Sequence, residues 1–457
     1  MLFHTWTFAF FFLIVWIGYV LMRRGPLALP WLLAASYLFY GAWRPAYLLL
    51  IVYSTLVDYV AVEGMARTGR RGLWLSLSLI NNLGLLGLLK YGDFVIGNLD
   101  SLCVALGLPR PPSPPGWELP VGISFYTFQS LSYTIDFWRG RIPRESNLIR
   151  FATYVAFFPQ LVAGPIERCS SLLPQLVERR PIRVDDLACG ASWFLVGLFK
   201  KLALADQLGA VVDRVYADPS RCDGPTVIAA TFAFAWQIYF DFSGYSDMAR
   251  GAARAIGFDL MVNFRHPYLA TGLADFWARW HISLSQWFRD YLYVPLGGNR
   301  VGAVRWSVNI LVTFLASGLW HGPAWTFVLW GAWHGIGLVA LRPLERRGIW
   351  NRVPVALRFG LVQTFVLIGW SMFRAGSTAD LIELVRACGR WEGIPDVLPL
   401  GSLLMILAVW LHQGLSESRW SRLVRHPLVA GSLAVGMIVY LAVVPLAGSS
   451  AFIYFQF

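Results

Sequence analysis

Charge is what this chain of 457 residues has least of: Asp, Glu, Lys and Arg make up 14% of it, against 57% hydrophobic residues. Soluble domains carry about a quarter charged residues, so a soluble globular enzyme is excluded. Cysteine is scarce too. Cys103, Cys169, Cys189, Cys222 and Cys388 form no C-x-x-C pair and are odd in number, which argues against a disulfide framework and against zinc; no metal site is expected. No G-x-S-x-G elbow, P-loop or G-x-G-x-x-G stands in a strand–turn–helix context. Despite a net charge of +12, no basic, aromatic-interleaved soluble module is present, so nucleic acid is not an expected partner. No repeat of fixed period occurs, and no polar stretch is long enough to hold a core of its own.

Apolar length is what the chain has in abundance. Windows fall at 7–22, 27–43, 46–62, 73–90, 119–138, 147–163, 190–212, 226–247, 306–320, 322–341, 359–373, 400–415 and 428–447. They approach the ~20 apolar residues that a bilayer span needs. The expected fold is an all-α polytopic membrane protein with roughly 11–13 transmembrane or re-entrant helices. It is read as a single domain over residues 1–457, with a core at 119–341 and peripheral helices at 1–107 and 355–447. Several windows are short, and irregular backbone at membrane depth is tolerated only where protein or a wet cavity surrounds it. Residues 1–22 lack a basic n-region and a small-residue cleavage site, so they read as a retained first helix.

The basic residues set the expected orientation. Arg23-Arg24, Arg67/Arg70/Arg71 and Arg139/Arg141/Arg144 alternate with loops nearly free of Lys and Arg. That places these gaps and the stretch 250–305 inside, and both termini outside. Keeping the basic loop 168–183 inside requires the 147–163 window to enter and leave on one face. The proline-rich run 108–118 reads as an extended external linker, and 375–397 as a surface helix at the outer interface.

Three of the seven histidines, His281, His321 and His334, lie between Phe276 and His334, and an intramembrane histidine is a functional candidate by default. Taken as one helix, 276–291 puts Phe276, Trp277, Trp280, Leu284, Trp287, Phe288 and Tyr291 on one face. Arg279, Ser283, Gln286, Arg289 and Asp290 fall opposite. His281 then sits at the edge of the apolar stripe, where a hydrogen-bonded interfacial histidine and a direct role both fit. His321 stands between Gly318 and Gly322-Pro323, a helix break at which Pro323 starts the next helix. There a neutral imidazole can take a proton from an attacking hydroxyl, with Trp320 and Trp325 excluding water. A buried structural histidine bonded to a freed carbonyl is the other reading. His334, flanked by Gly331 and Gly335, reads first as a packing residue. Asp241 and Asp247 read as structural ion-pair partners, with Arg250, Arg254 and Arg279 as candidates.

The segments VGISFYTFQSLSYTIDFWRG after Pro120, PQLVAGPIER after Phe158, IYFDFSGYSDMARG after Gln237, FRHPYL after Asn263, FWARWHISLSQWFRDYLYVPLGGNR after Asp275 and LWHGPAWTFVLWGAWHG after Gly318 together resemble the membrane-bound O-acyltransferase family. Within it they are most similar to the bacterial branch typified by the alginate O-acetyltransferase membrane subunit. The likeness covers roughly residues 30–341 and the tail FIYFQF. It implies a funnelled helical bundle that moves acetyl groups from a cytoplasmic thioester, acetyl-CoA or an acyl-carrier thioester, across a bacterial inner membrane to an extracytoplasmic polysaccharide. Candidate glycans are an alginate-like exopolysaccharide, cellulose or peptidoglycan. By the same resemblance His321 is the essential residue of the W-H-G motif, and His281 the second polar position. Trp277, Arg279, Trp280, Trp320, Trp325 and His334 would line the passage for substrate. No bound cofactor is implied. The implied partners are a separate periplasmic esterase-like acetyltransferase, the polysaccharide synthesis machinery and membrane lipid. D-alanyl transfer to teichoic acid stays open within the class. A transporter or flippase would share the broken helices but predicts repeat-related breaks, which the sequence does not show. A structural assembly subunit is the third reading.

Overall fold

The computed structural model describes residues 1–113, 116, 118–391, 399–444 and 452–453. Every regular element among them is helical. Among the described residues seven helices are long and apolar enough to cross a membrane, and Trp6–Met22, Ala28–Gly41 and Pro427–Val443 are shorter apolar helices. The apolar windows of the sequence carry helices. The 147–163 window is an exception: it is broken into Leu148–Ala156 and Phe158–Leu161, with Phe157 outside the helical range between them. Neither piece approaches the ~20 residues of a straight span.

The chain forms two compact units. The first comprises Met1–Ala191 and Ala249–Met261. In it Tyr47–Thr68 packs on Arg71–Leu86 and Ile123–Trp138. Their contact is sealed by buried Asp58, which accepts hydrogen bonds from Ser78 and Asn82, while Ser54 bonds Asn82. Phe158 N–H reaches Ser36 Oγ at 3.1 Å, tying the short broken segment to Ala28–Gly41. Gly122 at the start of Ile123–Trp138 has φ 78°, and a Cβ there would stand 2.9 Å from Leu161 O. Only glycine fits that approach.

The second unit comprises Ser192–Met248 and Val262–Phe457. At its centre Ala303–His321 and Trp325–Arg346 form an antiparallel hairpin joined by Gly322, Pro323 and Ala324. The seam is glycine. A Cβ on Gly318 would lie 2.2 Å from Phe327 O, and one on Gly331 2.3 Å from Phe314 O. Backbone cannot yield to such an atom, so the small-residue spacing noted in the sequence sets the hairpin's closeness. Val355–Arg374 packs on the second arm. The helix begins at Trp325 rather than at Pro323, because Gly322 and Ala324 are both extended.

The expected surface helix at 375–397 is Thr378–Ala387, with 392–398 outside the described residues. In the proline-rich run 108–118, residues 114, 115 and 117 lie outside the described residues. So do the last four positions of the tail.

Candidate active site

The segment 262–302 carries the first histidine, and it is not one amphipathic helix. Leu273–Arg279 ends at Trp280, His281 takes a left-handed backbone with φ 41°, and Ile282–Phe288 follows. The break has a local cause. Arg265 N–H bonds Arg279 O at 2.9 Å, and Ile282 N–H bonds Asn263 O at 2.9 Å. Asn263 Oδ1 takes Ser283 N–H at 3.2 Å, Ser283 Oγ at 2.9 Å and His281 Nδ1 at 3.1 Å. The stretch around Asn263 thus captures amides and a carbonyl that a continuous helix would use internally. Those bonds offset the ~1–2 kcal/mol of a left-handed non-glycine residue. His281 is consequently 1% exposed rather than at a wet interface. Its ring stands edge-on to Phe242 at 4.6 Å. Burial pushes its pKa down to about 3, so the imidazole is neutral.

His321 is the last residue of Ala303–His321, presented by the turn at Gly322. Its ring meets Trp320 at 5.1 Å, Trp330 at 5.0 Å and Phe373 at 5.0 Å, each edge-on. Trp320 is buried, and its ring lies 6.1 Å from that of His281.

His281 and His321 line one cavity of about 440 Å³, together with Trp277 and Trp280. Trp306, Ile310, Thr313, Phe314, Ser317 and His321 also line it, a single stripe on one helix. Fifteen residues separate Trp306 from His321, so the cavity follows the helix for ~22 Å at ~1.5 Å per residue. The end remote from His321 is polar: Arg289, Tyr293, Asn299, Arg342 and Glu345 stand there with Trp306. Arg342 lies over the Trp306 ring at 3.6 Å, and the indole N–H donates to Tyr293 OH at 2.8 Å.

Four expected site residues are not among those lining this cavity. Arg279 is held by Asp275 at 2.7 Å and by both Glu417 oxygens at 2.7 and 2.8 Å, which makes it a clamp onto Leu400–Glu417. Trp325 is 53% exposed and turns away from the cavity. Trp320 stands behind the histidines. His334 fills an aromatic box of Trp277 at 5.0 Å, Trp330 at 5.0 Å and Phe365 at 5.5 Å. Its Nε2 occupies the space a Cβ on Gly369 would need, 2.6 Å away, so it packs the wall from outside.

Asp241 and Asp247 are ion-paired, as expected of structural carboxylates, and lysines are among their partners. Lys201 pairs with Asp241 and Asp206 at 2.8 Å each, and Lys200 with Asp247 at 2.7 Å. Asp241 also accepts the Ile453 N–H at 2.7 Å, and Phe452 packs on Phe242 at 5.7 Å, the ring that abuts His281. Sequence reasoning missed Asn263, Trp306 and Arg342. The i, i+4 spacing running back from His321 to Trp306 was the available signal.

His281 and His321 are thus two buried imidazoles on one cavity, whose remote end carries Arg289 and Arg342 beside Glu345. The chain belongs to the membrane-bound O-acyltransferase family. That family's signature (MBOAT, membrane-bound O-acyltransferase family) matches residues 121–343. The chain is 40% identical to the "Probable alginate O-acetylase AlgI" of Pseudomonas aeruginosa over 86% of its own length and 76% of that protein's. It is 32% identical to the "Peptidoglycan O-acetyltransferase" of Helicobacter pylori, over 86% of this chain and 81% of the other. With the "Teichoic acid D-alanyltransferase" of Streptococcus thermophilus it shares 29% identity over 48% of this chain and 56% of the other. The protein is a multi-pass membrane O-acyltransferase.

Proposed function

We propose that this enzyme moves acetyl groups from a cytoplasmic thioester across a bacterial inner membrane, for O-acetylation of an extracytoplasmic polysaccharide. One observation carries the reading: His281 and His321 share a cavity whose other end is lined by Arg289 and Arg342. The basic residues of 250–305 and 342–347 support a cytoplasmic position for that end by the positive-inside rule. A pantetheine arm spans the equivalent of about four to five extended residues, or ~15 Å. It fits a cavity that follows its helix for ~22 Å. Its phosphate would lie by the arginines and its thioester by the histidines.

His321 then removes the proton of an acceptor hydroxyl while the oxygen attacks the thioester carbonyl. The thiolate leaves and takes the proton back from the imidazolium. If His321 itself attacks, the thiolate leaves with the imidazole's N–H proton, and the acetyl rests on the ring until the hydroxyl oxygen takes it and returns its proton to the freed nitrogen. Final transfer to the glycan falls to a periplasmic esterase-like partner working with the polysaccharide synthesis machinery. An acetylated exopolysaccharide of the alginate type is preferred over D-alanylated teichoic acid, since the acetyl-transferring relatives match more of the chain at higher identity.

The test is transfer of labelled acetyl from acetyl-CoA or from an acetylated carrier protein in sealed proteoliposomes. A D-alanyl thioester serves as the competing donor. Labelled acetyl should appear on acceptor hydroxyls at the face opposite the donor. Transfer of D-alanyl but not acetyl, or of neither, would reject the reading.

A further inference from the structure

We infer that the protein carries a binding site for one anionic phospholipid between Trp325–Arg346 and Val355–Arg374, apart from the acyl-transfer cavity. The two helices leave an apolar groove of about 310 Å³. Gly337, Ala340, Leu341 and Leu344 form one wall and Leu361 and Phe365 the other. Gly337 to Leu344 is seven residues, or ~10 Å of helix, enough for the first half of an acyl chain. Both helices are long and apolar enough to cross a membrane, and Trp350 of the turn that joins them lines the groove as well.

That turn is cationic. Arg342, Arg346, Arg347, Arg352 and Arg358 fall within residues 342–358, with Glu345 as the single carboxylate. Arg346, Arg347 and Arg352 are exposed and make no ion pair among the described residues. Trp350 lies between them, lines the groove and donates its indole N–H to Thr271 O at 3.2 Å. A tryptophan with its ring against apolar wall and its N–H in polar backbone marks the head-group level of a bilayer. Orientation in the membrane accounts for arginines in a short loop. It does not account for a concave apolar slot ending beneath them. A phosphate-bearing head group on Arg347 and Arg352, with its acyl chain in the slot, satisfies both ends. A zwitterionic lipid carries its own cation beside the phosphate and brings no net charge to these arginines.

The full chain is purified from phosphatidylcholine vesicles with and without phosphatidylglycerol, and retained lipid is counted by native mass spectrometry. Wild type should hold one phosphatidylglycerol in preference to phosphatidylcholine. Paired Arg347→Glu and Arg352→Glu should erase the preference, by about five-fold per arginine. Ala340→Trp should fill the slot and expel either lipid. Should Ala340→Trp fail to fold, a phosphatidylglycerol with a photoreactive acyl chain on wild type decides, with labelling expected at 340–344. Equal retention of the two lipids by wild type, labelling elsewhere, or displacement by inorganic phosphate would overturn the site.

Discussion

Asn263 Oδ1 and His281 Nδ1 stand 3.1 Å apart, and the same oxygen accepts the Ser283 backbone N–H. A backbone donor identifies that atom as oxygen, so the His281 Nδ1 carries the proton and Nε2 is the basic nitrogen. Asn263 is a positioning residue. Asn263→Leu should lower the acetyl-transfer kcat on the order of 10²-fold, as a ~1 Å misplacement does, with little change in donor KM. Asn263→Gln should recover part of it. An undiminished kcat in the folded leucine variant would show that the tautomer of His281 is irrelevant to transfer.

The burial of His281 also makes stability depend on pH. Its folded pKa of about 3 lies below the ordinary 6.5, so the unfolded chain binds a proton that the folded one refuses. That stability is present above pH ~6.5 and lost as the pH falls, by up to ~1.4 kcal/mol per unit. Glu167 acts oppositely: burial raises its carboxyl to about 7, and its contribution is lost as the pH rises. The two slopes offset one another in the mildly acid range. The measurement is therefore the difference between wild type and His281→Gln in thermal unfolding from pH 8 to pH 5. Wild type should lose ground to the variant as the pH drops, and parallel curves would contradict a neutral, buried His281.

Two arginines should separate cleanly. Arg279 is ion-paired with Asp275 and Glu417, so Arg279→Ala should destabilise by about 1.5–3 kcal/mol through lost charge-assisted bonds, leaving donor affinity unchanged in the folded fraction. Arg342 faces the cavity on the Trp306 ring, so Arg342→Gln should raise donor KM with kcat nearly intact. Donor titrations on both variants check this. A KM effect at Arg279 alone would move the donor mouth.

The positions of the apolar helices were legible in the sequence because each must fill a membrane with residues of one kind. The W-H-G turn was legible because Gly318, Gly322 and Pro323 are local punctuation. The break at His281 was not. It depends on Asn263, eighteen residues earlier, bringing its amide to 281–283. Periodicity within 276–291 therefore favoured a continuous helix. Arg279 was misplaced for the same reason, since its partner Glu417 is 138 residues away. The lysine partners of Asp241 and Asp247 lie on another helix, at a distance in sequence that no spacing rule reaches.

The orientation argued from the basic gaps predicts opposite sides for 250–305 and the 108–118 run. Single cysteines at Arg300 and Arg110, in a background freed of the five native cysteines, should react with an impermeant maleimide from opposite faces. Arg110 should label in intact cells, and Arg300 only after the membrane is opened. Ser450, a natural choice near the C-terminus, lies outside the described residues. Labelling of both sites in intact cells would overturn the cytoplasmic donor mouth.

His321 is set apart from the other two histidines by its position at a helix end on the cavity wall, whereas His334 packs behind that wall and His281 is locked to Asn263. If His321 is the base, His321→Ala should cut acetyl transfer by ~10²–10⁴-fold, with expression and membrane insertion near normal. A covalent acetyl-imidazole would make the loss deeper, and would leave labelled acetyl on wild type that hydroxylamine releases. His334→Ala should instead open a cavity beside Gly369 and lower thermal stability, with transfer per folded molecule little changed. The assay is acetyl incorporation for each variant, normalised to folded protein. A well-folded His321→Ala variant that still transfers acetyl at an appreciable rate would remove His321 from the chemistry. The cavity would then remain a passage in search of its base.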